Sequence, residues 1–326
     1  MSFSPDRPDF ASRLRHRPMR RSDVAECMGL LPPWLELDAE QRSLLPALWE
    51  RLVYEPGVVT GVSEETALPP GQRLQGWGTT LVMPAQWLHE VALACTAQPE
   101  LGTVATRAVY QALLDGRLQV PSEREIAQAN AGDGVVFLAL HYYQLRVDLS
   151  SPYALRLLSM ANEAYRMHHA GYRVRAVFQQ ASQADEPWLN GAGFRRRHAA
   201  LPGPAAMQPV LYGVTREEAA AMLPGITARH VFEHQVPRFR LTSTQRRLLW
   251  LALFDESDAH LMPLLEVSVH GLKKLWRGIY ERIEDVEPAF FGDAAASEDE
   301  GKRGPEKRRQ VLAYVRQRPE ELRPWP

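Results

Sequence analysis

Apolar residues along this chain change their period several times, and the changes divide it into parts. From Leu241 onward, three short stretches repeat apolar positions at helical spacing. The first carries Leu248, Leu249, Ala252 and Leu253 behind Thr242 and Gln245, a capping box whose side chains satisfy amides left bare at a helix start. The second follows Ser257 as cap and carries Leu261, Leu264 and Leu265. Pro263, near its end, predicts a shortened or bent helix. The third follows Ser268, with Leu272, Leu275 or Trp276, and Ile279 as its apolar stripe.

The N-terminal region alternates two kinds of pattern. Strands are predicted over His16–Arg21, Val58–Val62, Leu74–Met83 and Tyr172–Gln180. The longest β-branched and aromatic run, Gly134–Val147, predicts another. Helical spacing predicts helices over Ser22–Leu31, Ala85–Ala97, Thr103–Gly116, Pro152–Ala170 and Glu186–Gly191. Thr215 and Glu218 form a further capping box. A last helix is predicted from Pro305, with Val311, Leu312 and Val315 on one face.

Composition then sets boundaries. The expected organisation is a flexible N-terminus over 1–12, an α/β domain over 13–200, a linker with a short helix over 201–240, a helical module over 241–290, a flexible linker over 291–304, and a C-terminal helix over 305–326. The 326 residues, 45% apolar and 24% charged, are those of an ordinary globular protein. A formal net charge of −1 means that any affinity for nucleic acid has to be local. Cys27 and Cys95 lie far apart and outside any CxxC spacing, which disfavours a disulfide scaffold and a zinc site. The chain begins without an apolar leader and nowhere runs to about 18 consecutive apolar residues, so a cytoplasmic protein with no membrane partner is expected.

The candidate chemistry concentrates on the third C-terminal stretch. His270, Lys273, Lys274 and Arg277 lie off its apolar stripe, and Ser268 stands at its start. Three helices with a basic third one is how a helix-turn-helix offers a helix to the major groove. Leu241–Ile283 resembles, without gaps, the DNA-binding domain of LuxR-type regulators at Leu241, Thr242, Leu249, Ser257, Leu265, Val267, Ser268, Leu272, Lys273, Ile279 and Tyr280. It departs at Gln245, Asp255 and Gly271, where that family has Glu, Gly and Thr. The resemblance implies that Lys273 lies on the recognition helix. Ser268, His270, Lys273, Lys274, Arg277 and Arg246 are therefore the expected DNA contacts, with double-stranded DNA as partner and a homodimer as the bound form. RNA polymerase or a regulatory protein is the alternative partner.

The N-terminal order of elements resembles the GNAT acetyltransferase fold. The opening Arg17–Leu31 is similar to that family's first strand and helix, and Trp188–Arg197 to its last helix and strand. The resemblance implies a pyrophosphate-binding loop before the helix at Pro152. That position reads Val147-Asp148-Leu149-Ser150-Ser151-Pro152-Tyr153, without a glycine and with an acid. Acyl-CoA is therefore not expected as a cofactor. Ser150, Ser151 and Tyr153 are the candidate residues for a weaker anion site, whose plain alternative is a helix cap.

Other constellations carry less. His230, Glu233 and His234 fit an H-x-x-E-H pattern, but Pro237 stops any long helix there, so no metal site is expected. His168 and His169 are adjacent on a helix and face different ways. His141, at the end of the strongest strand, reads as core or rim. Trp77, Trp87 and Trp188 are candidates for a pocket wall, with core packing as the commoner fate of tryptophan. The expected fold class is α+β: a mixed-sheet GNAT-like N-terminal domain, a small all-α helix-turn-helix domain and a C-terminal helix. The expected function is a DNA-binding transcriptional regulator with no catalytic residues, controlled by an inactive GNAT-like domain. An active N-acyltransferase with a helical appendage is the alternative.

Overall fold

Alternation in the N-terminal part becomes pairing. A computed structural model describes residues 12–84, 105–197, 203–254, 256–292 and 300–326. Its strands are β1 (Leu14–Pro18), β2 (Val58–Glu65), β3 (Leu74–Val82), β4 (Val135–Gln144), β5 (Val174–Ser182), β6 (Arg195–Arg196) and β7 (Pro209–Thr215). They form one mixed sheet in the order β1-β2-β3-β4-β5-β7-β6. All neighbours are antiparallel except β4 and β5. That parallel pair holds only over Val135–Ala139 against Val174–Gln179. Beyond it, His141–Gln144 pair with β3 alone and Gln180–Ser182 with β7 alone, so the two central strands part.

Helices cover both faces. On one lie α1 (Val24–Cys27), α2 (Ala39–Leu52) and α3 (Ala105–Leu114), packed over a core in which Trp49 meets Trp77 edge-on at 5.1 Å and Tyr110 at 6.2 Å. Next comes α4 (Glu123–Ala131), whose Ile126 is fully buried. The other face carries α5 (Pro152–His169), α6 (Glu186–Gly191), α7 (Arg216–Ala220) and α8 (Thr227–Val231), with Phe137, Val177, Tyr212, Leu189 and Val231 beneath them. The sequence pattern missed α2 and α4. Their signals were Asp38 with Gln41 and Ser122 with Glu125, both complete capping boxes.

The sheet domain runs past its expected boundary. The predicted linker at 201–240 contains β7, whose Val210, Tyr212 and Val214 are buried and which pairs with both β5 and β6. Its brevity hid it, because an alternating run of seven residues after prolines and glycines reads as a connector. Trp188–Arg197 accordingly supplies α6 and the two-residue edge strand β6, not the last strand. The predicted helix at Ser22–Leu31 is broken into single turns around α1. The predicted helix at Ala85–Ala97 and the N-terminal residues 1–11 lie outside the described residues.

The C-terminal helices fall as their caps require. They are α9 (Ser243–Ala252), α10 (Asp258–Leu265) and α11 (Val269–Val286), capped by Thr242, Ser257 and Ser268. Pro263 sits inside α10, which stops two residues later at Leu265, with Glu266 behind it in the left-handed region, φ 56°. The final helix, α12 (Glu300–Gln317), starts five residues before the predicted position and holds Pro305 within it, so residues 300–304 are helix and not linker. Its Val311 and Val315 are buried among Phe239, Leu249, Leu272 and Ile279, and the Arg308 guanidinium lies 4.6 Å over Trp276.

A short tail locks this module to the sheet domain. Glu320–Pro324 are buried. Glu321 accepts the amides of Arg238 (2.8 Å) and Phe239 (3.0 Å). Arg323 donates to the carbonyls of Met167 (2.7 Å) and Ala170 (2.8 Å) at the end of α5. The side-chain amide of Asn130 donates to the Pro324 carbonyl at 2.8 Å. Arg20–Glu256 and Arg246–Glu123 ion pairs bridge the same seam.

Candidate functional site

Two places carry chemistry. The first is the outer face of α11. Leu272, Trp276, Ile279 and Ile283 are buried in the module core, which turns positions 270, 273, 274 and 277 outward on the opposite stripe. His270, Lys273, Lys274 and Arg277 are all exposed, and among the described residues none has a hydrogen bond or ion pair. Ser268 is exposed as well, its Oγ accepting the Gly271 amide at 3.1 Å as the helix cap. Several other basic residues of the module are engaged. Arg247 donates to the Leu264 carbonyl (2.8 Å), Arg282 to that of Phe239 (2.9 Å), Lys307 to Glu284 (2.5 Å) and Arg308 to Asp258 (2.7 Å). Arg246 does not join the stripe. Its side chain is 13% exposed and points into the seam, bonded to Glu123 and to the Leu241 carbonyl. The correction follows from the helix period, since position 246 lies on the side of α9 that meets the sheet domain.

The second place is a cavity of about 80 Å³ beneath α5, where β4 and β5 part. That is room for several waters or a short acyl chain. Its walls are largely apolar, with Val59, Ala139, Leu158, Ala161, Trp188 and Phe194 among them. Three imidazoles reach it, His16 from β1 and His168 and His169 from α5, while His141 of β4 borders it with its ring turned to Trp77 and Tyr110 on the opposite face. His16 Nε2 lies 2.9 Å from His168 Nε2, His169 Nε2 lies 3.0 Å from Thr80 Oγ1, and His141 Nε2 lies 2.9 Å from the Tyr110 hydroxyl. Burial pushes the His16 pKa down to about 4 with help from neighbouring Arg17, that of His169 to about 4, and that of His141 to about 3. His168 is held well below the usual imidazole value, by burial first and then by His16, His169 and Arg323. All four are neutral at pH 7. The buried Thr79 Oγ1, Tyr165 hydroxyl and His16 Nδ1 have no hydrogen-bond partner among the described residues. Such atoms carry a desolvation cost that a polar guest would offset.

His168 and His169 do face different ways, toward His16 and Thr80. No group of three potential metal ligands occurs among the described residues. His230 contacts Glu233 at 3.2 Å, whereas His234 contacts the Gly171 carbonyl at 3.2 Å and stacks on Trp325. Trp188 lines the cavity, Trp77 is core on the opposite face, and Trp87 lies outside the described residues. The His16–His168 pair joins positions 152 residues apart, so the one local hint was two histidines inside an apolar helix face.

The loop ahead of α5 has a different character from a phosphate cradle. The Asp148 carboxylate accepts the Ser150 amide (3.0 Å) and hydroxyl (2.8 Å). Ser151 Oγ caps α5 by accepting the Ala154 amide at 3.3 Å. Tyr153 is turned into the core, 3% exposed. Donors that would face a pyrophosphate are thus taken by a carboxylate and a cap, and the residues present do not fit that group.

No family profile and no curated protein matches the sequence. Solved structures do. Arabidopsis thaliana NAA60 in complex with acetyl-CoA is 13% identical over 63% of this chain and 99% of its own, with a TM-score of 0.34. Spermidine/spermine N-acetyltransferase SpeG from Vibrio cholerae is 9% identical over 64% and 95%, TM-score 0.33. FeeM, an N-acyl amino acid synthase from uncultured soil microbes, is 13% identical over 66% and 97%, TM-score 0.34.

Proposed function

We propose that the chain is a DNA-binding regulator in which α11 enters the major groove and the sheet domain serves as a sensing or docking body. The observation that carries this reading is the free basic stripe. His270, Lys273, Lys274 and Arg277 occupy one exposed face without side-chain partners among the described residues, while Arg246, Arg247, Arg282, Lys307 and Arg308 of the same module are engaged. Cations at 273, 274 and 277, on the same stripe as His270, form the electrostatic footprint of a groove-binding helix. Ser268, at the helix start, adds a hydroxyl within reach of a phosphate. Double-stranded DNA is the proposed partner and a homodimer the proposed bound form, with RNA polymerase or a regulatory protein as the partner if α11 does not read DNA. Among the described residues no helix is long and apolar enough to cross a membrane. A cytoplasmic location is part of the proposal. Genome-wide footprinting of the tagged protein tests the reading. Discrete sites lost in a Lys273→Ala, Arg277→Ala double variant support it, and a footprint no different from background refutes it.

A second reading, an N-acyltransferase of the GNAT type, is favoured by the parting of β4 and β5 over an apolar cavity. There the cavity would hold an acyl group and its neutral imidazoles would take the amine proton. The Asp148–Ser150 contact argues against an acyl-CoA pyrophosphate in the loop. Calorimetry with acetyl-CoA, followed by turnover on an amine panel, decides between the two.

A further inference from the structure

The seam between the sheet domain and the helical module encloses a second cavity, of about 240 Å³. Val58, Thr60 and Glu123 line it from the sheet domain, Arg246, Trp250 and Leu251 from α9, and Leu322 and Arg323 from the tail. Its volume is at the small end of pockets that bury organic molecules.

Its charges are unbalanced. Four arginines, Arg20, Arg246, Arg247 and Arg323, face three glutamates, Glu55, Glu123 and Glu256, an excess of one positive charge. Arg20 is paired with Glu256 and Arg246 with Glu123. Arg323 is the unusual member. It is 6% exposed, its guanidinium lies 4.6 Å over the Tyr172 ring and 5.1 Å over that of Trp250, and no carboxylate ion-pairs with it among the described residues. Two backbone carbonyls take its Nε and one terminal nitrogen. A buried cation held by carbonyls and aromatic rings, with the Glu320 carboxylate acting on it only from beyond ion-pair distance, is costly, and an anion in the adjoining cavity would offset that cost. Much of the remaining wall is apolar, from Val53, Val58, Leu251, Leu264 and Leu322. A phosphate or nucleotide would bring more charge than the excess matches and leave that wall uncovered.

We propose that this seam cavity binds a small organic monocarboxylate with an apolar body, its carboxylate toward Arg323 and its body against Trp250 and Leu251. Because its walls come from both parts of the molecule, such a ligand would clamp them together. The site does not depend on what α11 recognises.

Calorimetry on the full chain tests this with benzoate and hexanoate as probes, benzamide as the neutral counterpart, and inorganic phosphate. Both acids should bind, with benzamide weaker by about tenfold or more and phosphate without measurable heat. Arg323→Gln removes the charge while keeping a donor. Ser243→Trp blocks an exposed part of the lining without touching any charge. Each should weaken benzoate by about tenfold or more. If Arg323→Gln does not fold, Ser243→Trp decides. The proposal is overturned if neither acid binds, if benzamide matches benzoate, if phosphate alone binds, or if the folded variants bind benzoate as the parent does.

Discussion

His168 Nε2 lies 2.9 Å from His16 Nε2, and the His168 ring meets the Trp250 indole edge-on at 4.8 Å. One imidazole edge therefore touches the sheet domain at β1 and the other rings of α9, with Phe254 5.8 Å away. At such a distance one ring donates and the other accepts, so both cannot be charged, and burial holds both neutral at pH 7.

This geometry sets a pH window. His16, His141, His168 and His169 all have folded pKa values below the unfolded value of about 6.5. The unfolded chain takes up these protons first as pH falls. Stability present above about pH 6.5 is then lost progressively toward about pH 4, each group adding a slope of about 1.4 kcal/mol per pH unit. Urea unfolding at pH 7.5, 6.5 and 5.5 should show the midpoint dropping most steeply in the last interval. A midpoint constant across that range contradicts the buried, neutral imidazoles.

Glu321 holds the tail by accepting two backbone amides and is 1% exposed. Glu321→Ala leaves both amides buried without an acceptor, at a cost of about 3 kcal/mol. Glu321→Gln keeps one acceptor oxygen and should cost less. Denaturant titrations of the two variants check the order, and equal losses would mean that the carboxylate acts by charge alone.

Gly171 adopts φ +85°, and a Cβ there would sit 2.4 Å from the Glu320 amide nitrogen and 2.5 Å from the Pro319 carbonyl carbon. Both the conformation and the contact exclude a side chain. Gly171→Ala should cost about 2 kcal/mol or more and expose the tail, read as faster proteolysis after Arg318.

On α11, Lys273→Ala and Arg277→Ala should each weaken duplex binding and lower the salt slope by about one. Arg246→Ala should leave that slope unchanged and instead lose about 1 kcal/mol of stability through its broken pair with Glu123. Mobility shifts at several salt concentrations, run beside thermal unfolding, separate the two effects. An Arg246→Ala slope change equal to that of Lys273→Ala would return Arg246 to the DNA-facing stripe.

Much of the fold was written locally. Thr242 with Gln245, Ser257 and Ser268 mark the starts of α9, α10 and α11, because a cap and a repeating apolar stripe need no distant partner. The same local physics places the free basic stripe of α11, since burying Leu272, Trp276 and Ile279 turns Lys273, Lys274 and Arg277 outward. Asp38 with Gln41 marks the start of α2 by the same local signal.

Tertiary structure decided what lies between the parts. That β7 enters the sheet, that Arg246 faces Glu123, that His16 meets His168 and that Arg323 reaches the end of α5 all join positions far apart in the chain. Periodicity says which side of an element is buried but not against what. The partner of a buried cation or imidazole is chosen by how the packed layers meet, and no spacing along the sequence encodes that meeting.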